Sequence, residues 1–186
     1  MKRMLKNRLA LSTVITTLII LVVSILLASV LTYFAVNVVS TRVQEESLYV
    51  SRQHIWVAAD GTVQGCVMVT NNGGRDVVIN KIAVRGQASA WANVFTLQAT
   101  TADAGLIADL PYLTAVPANG GTVTGFADTL VTTTNNLILP SGNTMVIYFN
   151  SPDSVGLNDI GLTVSIAIHS AQAVYYSETN IQAAPA

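Results

Sequence analysis

The apolar pattern changes period once along the chain, near residue 53. Before that point apolar residues run almost unbroken; after it they alternate. No charged residue stands between Arg8 and Arg42. The densest stretch, Val14 to Val39, is nearly all Leu, Ile, Val, Ala and Thr. A helix built from it is apolar on every face, unlike a surface helix of a water-soluble domain. About 20 apolar residues cross a bilayer, and this run is longer. Ser40 to Gln53 contains no Gly or Pro, Val43, Leu48 and Val50 add a thin apolar stripe, and Glu45 and Glu46 lie near Arg42. The expectation is one apolar helix over residues 11–53. Counted from Leu9 to about Arg52, it would be on the order of 65 Å long.

Beyond His54 the pattern has period two and is punctuated by turn signals. Asp60-Gly61 follows Ile55-Trp56-Val57 and predicts a hairpin. Thr62 to Thr70 and Asp76 to Val84 read as strands on either side of Asn71-Asn72-Gly73-Gly74, with a register change near Asn80. The first three strands are expected to form a meander. Trp91 to Leu97 suggests a strand or short helix. Asn119-Gly120-Gly121 is a turn before Thr122 to Phe126. Pro140-Ser141-Gly142-Asn143 is another, between Leu137–Leu139 and the strand Thr144–Phe149. Gly161 to His169 and Ala173 to Ser177 form a last pair. Short strands spaced in this way predict a β-sandwich or barrel over residues 54–180. The last residues, 181–186, offer little to bury and are expected to be a loose tail. The fold class expected is therefore α+β, a long apolar helix followed by an all-β, immunoglobulin-like sandwich.

Charge distribution orients the helix. Net charge is −1, yet Lys2, Arg3, Lys6 and Arg8 gather at the start, and Arg75, Lys81 and Arg85 are the only basic residues after Gln53. A cluster of four basic residues before the apolar run, against the single Arg42 directly after it, places the N-terminus in the cytoplasm. The outer domain lacks a basic stripe, which argues against nucleic acid as a partner. Charged residues are 10% of the chain, well below the usual quarter. An ordinary secretory signal has a shorter apolar stretch ending at a small-residue cut. Cutting at Ala28-Ser29 would leave Val30, Leu31, Tyr33 and Phe34 at the new start, which a soluble exported protein does not need.

Candidate chemistry is sparse. Cys66 is the only cysteine, so no internal disulfide forms; within Cys66-Val67-Met68-Val69 it reads as a small buried hydrophobe. His54 and His169 are the only histidines and share no ligand spacing with Cys66. Asp153-Ser154 and Asn158-Asp159 offer oxygens, but no Asp-x-Asp-x-Asp loop exists, and turn chemistry is the plainer reading. There is no Gly-x-Ser-x-Gly elbow, phosphate loop or dinucleotide fingerprint, and no Asn-x-Ser/Thr sequon. No catalytic residue, metal site or cofactor is expected.

Leu5-Lys6-Asn7-Arg8-Leu9-Ala10-Leu11-Ser12-Thr13-Val14-Ile15-Thr16-Thr17-Leu18-Ile19-Ile20 resembles the start of archaeal type IV pilin-like proteins, a group that includes the archaellins. The resemblance implies a basic leader over residues 1–10, with Ala10 its last residue and Leu11 the first mature one. A cut after Arg8, leaving Leu9 first, is the alternative. It further implies a prepilin peptidase-like enzyme, an assembly machinery, residence in membrane lipid before assembly, and copies of the chain packed through their helices into a helical filament. The sequence departs from the pattern in two places. Arg8 stands two residues before Ala10, and Ile15 occupies the fifth mature position, where bacterial pilins carry Glu. Val-Thr-Asn-Asn-Gly-Gly-Arg-Asp-Val-Val-Ile-Asn-Lys-Ile-Ala-Val (residues 69–84) and Leu-Pro-Ser-Gly-Asn-Thr-Met-Val-Ile (residues 139–147) are similar to the domains of archaeal surface filaments.

Three functions compete on these readings. The first is a subunit of a surface filament serving adhesion or motility, assembled through Ser24, Ala28, Thr32 and Ala35, small residues near one helix face. The second is an uncleaved, signal-anchored extracellular binding module of a surface complex, for which the same sequence would serve. The third is a membrane-tethered hydrolase, which lacks a convergent polar site.

Overall fold

The computed structural model describes residues 2–43, 45–100, 102–115, 117–152 and 154–185. Two compact units divide the chain between Val43 and Gln44. The first is a single helix, α1 (Lys2–Val43), of 42 residues. At the α-helical rise it is about 63 Å long. Neither Gly nor Pro interrupts it.

The helix stops well short of Arg52, which corrects the expected boundary at residue 53. Leu48 to Val57 form the first strand instead. The remaining strands are β2 (Val63–Asn71), β3 (Val77–Val84), β4 (Gln87–Ala88), β5 (Val94–Ala99), β6 (Val131–Thr132), β7 (Leu137–Leu139), β8 (Thr144–Asn150), β9 (Thr163–Ser170) and β10 (Val174–Ala183), with β1 as Leu48–Val57. Tertiary pairing decides the 48–57 segment. As a strand it pairs along β2 from Leu48↔Asn71 to Val57↔Val63 and buries Leu48, Ile55, Trp56 and Val57. A helix there would have exposed them. Local propensity is a weak prior against a whole ladder.

The approach to β1 is fastened as well. The N–H groups of Asn72 and Gly73 donate to the Ser47 carbonyl at 2.8 and 3.1 Å, and Gly74 N–H donates to the Glu45 carbonyl at 3.3 Å. A Cβ on Gly73 would lie 2.6 Å from the Glu45 oxygen, so only glycine allows this approach.

The strands run in the order β4-β3-β9-β10-β1-β2-β8-β5-β6, with β7 also paired to β3. All pairings are antiparallel except β1 with β10. That parallel join corrects the expected sandwich. Two separate sheets would leave β1 and β10 as edges; paired, they make one continuous sheet that curls into a half-barrel. The fold class is α+β. The expected three-stranded meander is also corrected, because β3 leaves β2 and pairs with β9. Its register slips between Ile79 and Lys81, around Asn80.

The loose tail is overturned too. β10 continues to Ala183, Ile181 is 1% exposed, and Ala184 N–H donates to the Val57 carbonyl at 2.9 Å. A buried isoleucine and a parallel partner supply what the small residues around them lack.

Curling gives the domain two cores. Inside the curve pack Ile55 and Val57, Val67 and Val69, Ile79 and Ile82, Ile147 and Phe149, Ile166 and Ile168, and Ile181. On the outer face of the β1-β2-β8-β5 half pack Trp56, Cys66, Met68, Phe95, Leu97, Val146 and Tyr148. Residues 100–130, the connection from β5 to β6, cover that outer face with Leu110, Val123 and Leu130. Strands β2 and β8 are therefore apolar on both faces, whereas β9 alternates cleanly because one face meets solvent. Gly65 on β2 sits opposite Phe149 on β8, and a Cβ there would run into the ring.

Candidate functional site

Every described side chain from Leu11 to Thr41 is exposed, and this 31-residue stretch has the length and composition to cross a membrane. Seven of its polar side chains bond within the helix. Thr16, Thr17, Ser24, Ser29, Thr32 and Thr41 hydroxyls donate to carbonyls three or four residues earlier, at 2.8–2.9 Å. Asn37 Nδ2 donates to the Tyr33 carbonyl at 3.0 Å. A polar group with an internal partner costs far less in hydrocarbon than a bare one. Ser29 and Asn37 fall outside the small-residue stripe expected from the sequence. The signal for both is a lone polar residue in an apolar run.

Ser24, Ala28, Thr32 and Ala35 share one stripe, spanning roughly 80° around the helix axis. The Thr32 hydroxyl bonds to the Ala28 carbonyl and the Ser24 hydroxyl to the Ile20 carbonyl, so the stripe presents short side chains with turned-in hydroxyls. Arg8, Leu9, Ala10 and Leu11 lie within the unbroken turns of α1. Leu11 is exposed.

In the second unit the polar groups that could carry chemistry are spent on holding the 100–130 connection. Arg52 has a left-handed backbone, φ 51°, at the break in β1–β2 register between Ser51 and His54. Its guanidinium donates to the Gly105 carbonyl at 3.0 Å and passes Met68 Sδ at 3.5 Å. His54 Nε2 lies 2.8 Å from Asp109 Oδ1. The imidazole stacks on Trp56 at 5.1 Å, and Trp56 meets Tyr112 edge-on. Gln64 exchanges two hydrogen bonds with the Leu113 backbone, at 2.8 and 3.2 Å. The Tyr148 hydroxyl donates to the Pro111 carbonyl at 2.9 Å, and Asn150 Nδ2 to the Pro117 carbonyl at 3.1 Å. Read in order, sites on β1, β2 and β8 fasten residues 105 to 117 one after another.

His54 and His169 stand on β1 and β9. Among the described residues no group of three His, Cys, Asp or Glu side chains could hold a metal ion. His169 is held below the usual imidazole value by burial and by Lys81, which faces it across β3–β9. Cys66 is fully buried, and burial pushes its thiol far above the usual range, so it is inert as a nucleophile.

The acids staple turns. Asp60 accepts from Thr62 N–H at 2.9 Å, Asp103 from Thr100 and Ala127, and Asp159 from Gly156 N–H at 2.8 Å and from Arg85 at 3.1 Å. These donors hold all three carboxyls below their usual value, the backbone N–H of Thr62, Thr100 or Gly156 first. Asp153, named with them from the sequence, lies outside the described residues. A groove of about 590 Å³ opens between β5 and β7; Thr96, Leu97, Gln98, Ile138 and Met145 line it, and Asp128 is its one titratable group.

Compared with known families and with curated proteins, the chain matches no family model and no curated sequence.

Proposed function

We propose that this protein is a structural subunit of an extracellular type IV pilus-like or archaellum-like filament, assembled through α1. One observation carries the reading. The exposed apolar stretch Leu11–Thr41 has 31 residues, about 46 Å of helix, against a hydrocarbon core of about 30 Å. A single anchor gains nothing from the excess. Copies of the helix packed together would bury it, and the self-satisfied hydroxyls would let backbones approach along the Ser24–Ala35 stripe.

In this reading residues 1–10 are a leader removed at Ala10–Leu11, or at Arg8–Leu9, by a membrane-embedded peptidase. The precursor waits in the membrane with its N-terminus in the cytoplasm and its β domain outside. The domain is a structural module, not an enzyme, and coats the assembled core. The polar tethers to residues 105–117 support this, because they are consumed in holding the fold.

The test is the intact mass and N-terminal sequence of the protein purified from its own envelope, with electron microscopy of the same material. A chain starting at Leu11 or Leu9, found in filaments, is the expected result. A chain starting at Met1, found as a monomer or in a small complex, overturns the proposal and leaves the anchored extracellular binding module.

A further inference from the structure

We infer that the β domain is built to bear tension along β1, between the end where the chain enters the sheet and the end where β10 finishes. The inference goes beyond filament formation and does not depend on it; an anchored module would be strengthened in the same way.

The first and last strands are neighbours at the middle of the sheet and run parallel. Parallel neighbours begin at the same end, so the start of β1 and the finish of β10 stand at opposite ends. A pull between them slides one strand along the other. Every bond across the joint is then strained together, and none can fail first and release the next. An antiparallel hairpin pulled at its open end behaves differently, because its bonds break singly, in sequence.

The joint has three kinds of contact. Backbone pairing covers Ile55↔Ile181, Trp56↔Gln182 and Val57↔Ala183. Two side chains extend it towards the entry end: Gln53 Nε2 donates to the Glu178 carbonyl at 3.1 Å, and the Thr179 hydroxyl donates to the Gln53 carbonyl at 3.0 Å. Ile55, Val57 and Ile181 are locked in the inner core, so sliding must drag buried side chains past their neighbours. On its other side β1 is paired with β2 over nearly its whole length.

The entry end is reinforced where such a pull would arrive. The Asn72, Gly73 and Gly74 N–H groups hold the Ser47 and Glu45 carbonyls. Midway along β1, the bulged Arg52 hooks the Gly105 carbonyl and resists sliding across the sheet face. The register break at Arg52 therefore costs β1 two ladder positions but adds a side-chain anchor.

Single-molecule pulling on the full chain in detergent micelles tests this. Handles are attached through Ser47→Cys and Gln182→Cys, both exposed positions; native Cys66 is fully buried and does not compete. The reference geometry places handles at Thr163→Cys and Asn180→Cys, the open end of the β9–β10 hairpin. Forced unfolding reads the barrier along the pulled direction and not the equilibrium stability. The expected unfolding force between residues 47 and 182 is at least about twofold that between 163 and 180, because several bonds share the first load. Adding Thr179→Val, which removes the bond to Gln53 and keeps the side-chain shape, lowers the first force and leaves the second unchanged. Equal forces in the two geometries, or a weaker 47–182 direction, would overturn the inference. So would a Thr179→Val effect of the same size in both.

Discussion

Asn71 shows how one residue can hold several turns. Its side chain is fully buried at the end of β2. Nδ2 donates to the Arg75 and Leu139 carbonyls at 2.8 and 3.0 Å, and Oδ1 accepts from Gly73 N–H at 3.0 Å. The Asn71 backbone bonds to Asn143 and Gly142, which lie in the next turn over. Asn71→Ala removes the side-chain bonds and strands a buried carbonyl, with a cost of about 2–4 kcal/mol in denaturant unfolding. Gly65 makes a second prediction. Gly65→Ala drives a methyl into Phe149 and costs about 1–3 kcal/mol. In a double-mutant cycle with Phe149→Leu the two losses should be less than additive; full additivity would mean the ring is not what excludes the Cβ. The sequence makes Asn71 and Gly73 legible as turn residues, and Cys66 as a small core hydrophobe. It does not make Asn71 legible as a buried hub. Its partners Leu139, Gly142 and Asn143 are remote in sequence, and only folding brings their turns together. The same holds for Gly65, whose need for a bare α-carbon exists only because Phe149 lies opposite.

At the scale of elements, hydrophobic period is informative where one face meets water and misleading where pairing decides. β9, with one solvated face, and β8 between clear turns are readable, and so is the slip near Asn80. Residues 48–53 mislead because Leu48, Val50 and the nearby charges also fit a helical stripe. The ladder to β2 is the information a local pattern lacks. The C-terminal segment misleads for a related reason. Ile181 is a single apolar residue among polar and small ones, too little for a pattern, yet it closes the inner core beside Ile55. Ending the chain after Asn180 should destabilise the domain by about 2–5 kcal/mol from the lost isoleucine alone. β1 would also lose its parallel partner. Unfolding of the shortened chain at an unchanged denaturant midpoint would show that residues 181–186 are an ornament on the sheet. The 100–130 connection is legible only as an irregular stretch with turn signals. Its role as the lid of the outer core rests on tethers to Arg52, His54, Gln64, Tyr148 and Asn150, none of which has a local signature.

At the scale of the whole molecule, two physical problems are kept apart by the boundary at residues 43 and 44. The helix is a surface problem, since nothing in its own unit covers its apolar side chains. In the proposed filament, Ala28→Leu or Ala35→Leu should reduce filament yield in the envelope while leaving the domain's thermal transition unchanged. Normal filaments from both variants would move the contact to another face of α1. The domain is a titration problem, and the signs of its shifted groups agree. Asp60, Asp103 and Asp159 are held below the usual carboxyl value by backbone N–H donors. For Asp109 partial burial pushes upward and is the largest influence, but the bond and charge of His54 outweigh it. A carboxyl lowered on folding stabilises the fold above its unfolded value, about 4, and that contribution is lost as pH falls through the folded value. His169, lowered by burial and by Lys81, acts in the same direction from about pH 6.5 downward, because protonation is easier in the unfolded chain. On the alkaline side, burial raises Cys66, Tyr148 and Tyr175. Each keeps its proton longer when folded, so its contribution is complete below the unfolded value and is lost as pH climbs above it. The denaturant midpoint of the domain, followed in the full chain in detergent, should therefore be flat between about pH 7 and 8, decline gently below about 6.5 and steeply below about 4. It should also fall above about 9. Asp109→Asn removes one of the acid-sensitive groups and the partner of His54 together, so it should lower the neutral plateau and make the steep acid limb shallower. A variant that lowered the plateau but kept the full acid limb would show that His54 and Asp109 do not meet in solution, and the fastening of residues 105–117 would then rest on Arg52, Gln64, Tyr148 and Asn150.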